Sequence, residues 1–195
     1  MTLLIAGLAV FIGAHLVPTL PSLRETLRAN LGAGGYQSAF SLLSVLGLIL
    51  IVLGYGEART LGRANPQLFV PPSWGRHVTY LLMLGAFILL VAAYVPSRIR
   101  DKARHPMLAA VKLWALGHLF VRGDLASVLL FASLLAYAAY DRVSVGRRGA
   151  KGPLGTAVGT ARGDLIVLGA GISAYVLMLL WGHALLIGIP LLSRP

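Results

Sequence analysis

The chain has 195 residues, 57% of them hydrophobic and only 12% charged, with a formal net charge of +11. A soluble domain carries roughly a quarter charged residues, so too little polar surface is left to coat a water-soluble globule. No cysteine is present, which removes disulfides, iron–sulfur clusters, c-type haem and thiolate-ligated haem together.

Apolar runs recur at 2–20, 36–55, 77–96, 106–121, 125–140 and 164–192. Most approach the roughly 20 residues that cross a hydrocarbon core. The pattern predicts one all-α domain over 1–195, a polytopic transmembrane bundle of about six helices. The first run has no basic segment before it and no small-residue cleavage site, so it reads as a spanning helix rather than a leader. Pro18 and Pro21 are expected to end it, and the "GAGG" at 32–35 to separate it from the second. The proline-rich stretch at 65–75 is a turn region, with Trp74 placed as an interfacial anchor. Pro96 closes the third run and Pro106 opens the fourth. The fourth and fifth meet at "RGD", 122–124, a link short enough to make them an antiparallel hairpin.

Serines 38, 41 and 44 with Gly47 give the second run a small-residue surface, and Gly169, Gly171 and Ser173 do the same for the last. Such surfaces let helices approach closely in lipid. The last run is too long to cross upright as one helix, so it is expected to tilt, to bend near Gly169–Gly171 or to begin outside the membrane.

Lysines and arginines number 11 in one set of alternate loops and 5 in the other, with Lys112 inside a run. The positive-inside rule then puts both termini outside the cytoplasm, in a bacterial inner membrane. The basic charge belongs to cytoplasmic loops and implies no nucleic-acid partner. Membrane lipids are the expected surroundings.

Two nucleotide-like motifs fail on context. The G-x-G-x-x-A at 169–174 lies in a membrane run with no acidic residue about 20 positions on. "GRRGAKG", 146–152, lacks the G-K-[ST] of a phosphate loop. The six acidic residues sit near run ends or in loops, which argues against carboxylate-based hydrolysis. No catalytic residue can be named.

The histidines are more informative. His77 and His183 read as interfacial or hydrogen-bonded, and His105 opens the fourth run beside Arg104. His15 lies about 7–8 Å inside the first run and His118 about 18 Å inside the fourth. Ionisable residues at such depth face the bundle interior with a partner or a function. Two imidazoles offset by about 10 Å on different helices do not touch directly. Either each is hydrogen-bonded separately, or they hold a broad group such as haem between them. Lys112 has no acidic partner mid-span. It either snorkels toward the cytoplasmic surface or meets an anion brought by a ligand, such as a haem propionate.

"GAHLVPTLPSLR" and "RHPMLAAVKLWALGHLFVRGD" resemble the NnrU family of bacterial membrane proteins, associated with nitrite and nitric oxide respiration (denitrification). Its plant and cyanobacterial relative is the 15-cis-ζ-carotene isomerase, a haem b enzyme. The resemblance implies that His15 and His118 ligate the iron of a haem b, with Lys112, His105 and Arg104 as further cofactor-binding residues. It implies a small hydrophobic or gaseous substrate. The resemblance sets the isomerase's redox-switching cysteine at Ala115, and this chain has no cysteine, so a cysteine–histidine switch is impossible here. The "RHP" at 104–106 is also similar to the S-adenosylmethionine-binding motif of isoprenylcysteine methyltransferases. The further polar residues of those enzymes are absent from "WGHALLIGIPLLSRP". A non-enzymatic transport or assembly role is the third alternative.

Overall fold

The computed structural model describes residues 1–150 and 152–192, and these form helices joined by turns and irregular segments. The order is α1 (Thr2–Leu16), α2 (Pro21–Ala58), α3 (Gly75–Ala92), α4 (Arg98–Ala103), α5 (Pro106–Leu119), α6 (Leu125–Arg148), α7 (Ala161–Leu177) and α8 (His183–Ile187). Five segments are long and apolar enough to cross a membrane: Thr2–Thr19, Pro21–Ala58, Gly75–Ala92, Leu125–Arg148 and Ala161–Ile187. The sixth expected span, α5, has 14 residues, about 21 Å, and falls short of the roughly 30 Å hydrocarbon core.

Three boundaries differ from expectation. Pro21 begins α2 rather than ending α1, because a proline at the first helical position loses no hydrogen bond. The "GAGG" segment does separate two helical pieces, but the piece before it is Pro21–Leu31 and not the first run. The break falls at Gly32 (φ 70°, ψ 168°), a conformation open to glycine. The last run is irregular at Met178–Gly182, a single π turn, and not at Gly169–Gly171.

α1 packs antiparallel on α2 along a glycine seam. An added Cβ at Gly7 would lie 2.6 Å from the Ile51 nitrogen, and one at Gly47 2.7 Å from that of Phe11. At Gly54 it would overlap the Leu4 backbone. Of the small residues expected to make this approach, Gly47 does so, together with Gly54 and, on α1, Gly7, whose lack of a side chain brings the backbones together, while the serines take no part. Ser38 and Ser41 are exposed, and Ser44 donates to the carbonyl of Phe40. Against α3, Gly171 meets Ile88 while Gly169 has open space.

α3, α5 and α6 pack side by side, with α7 on α3. α5 and α6 form the expected hairpin. Asp124 caps α6 by accepting from the Ser127 nitrogen and hydroxyl, and Asn65 bridges to it while accepting from the Ala126 nitrogen. Burial pushes the Asp124 carboxyl up, but hydrogen bonds from Ser127 and Asn65 and the Arg122 charge outweigh it and hold the group below its usual value. At the opposite end, Thr19 lies against Tyr140, hydroxyl to hydroxyl at 3.4 Å. That end gathers α4, the C-terminal half of α6 and most of the arginines.

Candidate functional site

α5 begins at Pro106, level with the middle of α6, and α6 continues to Arg148. The notch so formed is a cavity of about 460 Å³, within the range of small-molecule sites. Apolar groups from three helices form its walls, among them Phe11, Val111, Trp114 and Leu134. Its polar lining comes from His15, Tyr137, Asp141, Arg100, Arg104 and His105. Ala150, Gly152 and Pro153 line one side.

His15 is positioned by its own helix. Its Nδ1 lies 2.8 Å from the Phe11 carbonyl. A carbonyl only accepts, so Nδ1 carries the proton and Nε2 of the neutral ring is a free lone pair. Phe11 stacks on the imidazole at 4.2 Å, with Phe40 and Tyr137 at 5.1 and 5.9 Å. His118 repeats the arrangement on α5, Nδ1 to the Trp114 carbonyl at 2.8 Å. Outer hydrogen bonds of this kind fix tautomer and ring direction in metal-binding histidines. Thr19, a possible orienter of His15, instead donates to the Leu16 carbonyl.

The two histidines stand at different levels of α6. His15 faces Tyr137 and His118 stacks on Phe131 at 4.5 Å. Six residues of helix separate those levels, about 9 Å, in line with the offset read from the sequence. His118 does not line the cavity. Trp114 stands between, its ring part of the cavity wall and 5.2 Å from that of His118. His183 and Arg122 lie near His118. His183 binds the Ile189 carbonyl through Nδ1 at 2.7 Å, so its Nε2 is free as well.

The mouth is set by α4. Arg104 has φ 62° and ψ −47°, and the His105 nitrogen donates to the Ala103 carbonyl at 2.7 Å. This is a positive-φ γ-turn, a rare and strained conformation. It is the one non-glycine residue with positive φ among those described. Arg100 is committed to the carbonyls of Ala157 and Gly155, whereas Arg104 has no hydrogen-bond or ion-pair partner among the described residues. Burial first, then the charges of Arg142, Arg104 and Arg148, lower the pKa of His105 against the opposing pull of Asp141. His105 is therefore neutral at pH 7 and serves as a hydrogen-bonding group.

Relief of the turn strain separates the two roles of Arg104. Arg104→Gly is expected to stabilise the fold by about 1 kcal/mol while weakening anion binding, and Arg104→Ala to weaken binding without that gain. Thermal unfolding of the two variants checks this; equal melting temperatures would remove the strain.

Of the residues expected from the sequence, His15, Arg104 and His105 share this cavity. His118 lies behind Trp114, and Lys112 is half-buried on α5 away from the lining. Among the described residues Lys112 has no hydrogen-bond or ion-pair partner. Tyr137 and Asp141 were missed. The Tyr137 hydroxyl reaches the His15 carbonyl and the Asp141 carboxylate at 3.3 and 3.4 Å. Asp141 is 9% exposed and pairs with Arg148 at 3.0 Å. Their spacing of 4 and 7 along one helix face was the available signal, hidden by ending the fifth run at 140.

No group of three or more metal-binding side chains occurs among the described residues. A bare metal ion usually needs three or four protein ligands, whereas a haem iron takes one or two. The cavity supplies part of what a haem needs: one pre-oriented imidazole, His15, apolar walls, and Arg104, which has no hydrogen-bond or ion-pair partner among the described residues. At His118 the donor is prepared but covered by Phe131 and Trp114.

No curated protein matches the chain, and no solved structure does. The family model described as NnrU protein matches residues 3–191, nearly the whole length, and the chain belongs to the NnrU family.

Proposed function

We propose that this membrane protein binds a b-type haem, which His15 and His118 would hold through Nε2, and acts in nitrite and nitric oxide metabolism. One observation carries the reading: two histidines on different helices, each with Nδ1 tied to the carbonyl four residues earlier and Nε2 free. A haem held there supplies an iron that exchanges electrons or binds a small gas. The chain's own groups do the rest. Arg104 holds a carboxylate at the mouth, His105 offers it a neutral hydrogen bond, and Phe11, Val111 and Leu134 exclude water from the ring.

The test is an absorption spectrum of the detergent-purified protein, oxidised, dithionite-reduced and then exposed to nitric oxide. A Soret band that shifts on reduction and again with the gas is expected. A protein without haem even after reconstitution would overturn the reading. A redox isomerisation like that of the ζ-carotene enzyme would use the same iron, without a cysteine switch.

A second reading follows from the placement of Arg104, His105 and Pro106 at the cavity. In it the cavity holds S-adenosylmethionine, as in the isoprenylcysteine methyltransferases, and binding of the labelled cofactor by haem-free protein would favour it. A transport or assembly role would leave both assays negative. For orientation, we place the arginine-rich end in the cytoplasm of an inner membrane and both termini in the periplasm. Reporter fusions after Arg148 should be active only as cytoplasmic reporters; periplasmic activity there would reverse the topology.

A further inference from the structure

The first three turns of α2, Pro21–Leu31, stand clear of the bundle. Every residue in them is exposed except Leu27, which is half-buried. They are not needed for crossing. α2 has 38 residues, about 57 Å as one rod, and the part after Gly32 alone exceeds the roughly 30 Å core. Gly32, with its left-handed φ of 70°, sets the arm apart from the span as a separate rigid piece.

The arm has two sides. At about 100° per residue, Leu23, Leu27 and Leu31 fall within an arc of about 80°. Arg24 and Arg28 lie about 20° and 60° beyond one edge of that stripe. Glu25 points about 160° away from its centre, toward Ser22 and Ala29. Three leucines flanked by two arginines, with the acid opposite, is the arrangement of a helix lying at a membrane surface. Such arginines reach lipid phosphates while their stems cover apolar area. The arm also leaves the bundle at its arginine-rich end, since the turn before it is held to α6 by Thr19 and Tyr140. A second copy of the chain is the poorer occupant. Three leucines do not approach the roughly 800 Å² per partner of a stable interface.

We propose that Pro21–Leu31 is an interfacial arm lying in the headgroup layer of the protein's own membrane. Its leucines enter the acyl boundary, and Arg24 and Arg28 bind the phosphates of anionic phospholipids. This is independent of haem.

The absence of cysteine makes site-specific labelling simple. A polarity-sensitive fluorophore is attached to the full chain through Leu27→Cys or Glu25→Cys, with one protein per nanodisc. In discs containing phosphatidylglycerol, the label at 27 should emit to the blue of the label at 25. Each of Arg24→Gln and Arg28→Gln should lower the ratio of docked to free arm roughly fivefold, and phosphatidylcholine discs should show a smaller difference. Equal emission at 25 and 27 would overturn the proposal. So would indifference to the lipid headgroup, or a blue shift that appears only with two copies per disc.

Discussion

Replacing His15 with alanine is expected to abolish the Soret band of the purified protein, and His118→Ala to do the same, with the fold intact in both. Each half-buried imidazole packs against an aromatic ring that can close over the vacancy, Phe11 for His15 and Phe131 for His118. The missing nitrogen has no substitute on its own helix. His183→Ala is the informative third variant, because the structure brings His183 near His118. Haem retained in His183→Ala and lost in the other two supports the proposed pair. Haem lost in His118→Ala and His183→Ala but kept in His15→Ala would move the iron to the far end of α5 and remove the His15 cavity as its site. Lys112→Met should leave haem content unchanged, because Lys112 stands away from the cavity lining.

The second large effect concerns packing. Gly54→Ala is expected to cost at least about 3 kcal/mol, a fall of roughly 10 °C in melting temperature. The added methyl would meet the Leu4 backbone, and backbone cannot rotate away as a side chain can. Gly56→Ala, two residues on in the same helix, meets nothing within 4 Å and should gain a few tenths of a kcal/mol from helix propensity. The comparison isolates the contact, since both changes add the same atom. Similar melting behaviour of the two variants would show that α1 does not pack on α2 through this seam.

The helical bundle was legible because crossing a membrane demands long apolar runs, and these runs are hard to mistake. The seam between α1 and α2 was not. Both helices are apolar on nearly every side, so periodicity cannot say which side meets a neighbour; Gly47 was visible as part of a small-residue surface, Gly7 and Gly54 were not. The arm before Gly32 was hidden by reading Pro21 as a terminator when it also suits a helix start. In the site, His15 was visible as an imidazole deep inside an apolar run, and Arg104 and His105 as the polar opening of the fourth run. The turn that aims Arg104 depends on φ and ψ, which no residue type near it announces. The obstruction of His118 by Trp114 depends on rotamers that only the packing of α5 on α6 decides.

The shortness of α5 has a consequence for how the protein is assembled. Because α5 stops at Pro106 while α6 runs on for several more residues to Arg148, its N-terminal turn brings non-helical backbone below the level of its neighbours. Such backbone is tolerated at membrane depth only where protein or water shields it. The notch is therefore a doorway facing the aqueous phase at the arginine-rich end, and lipid does not seal it. A cofactor of the kind proposed above would enter from that phase, past the turn at Arg104, and its loading would be separable from insertion of the helices.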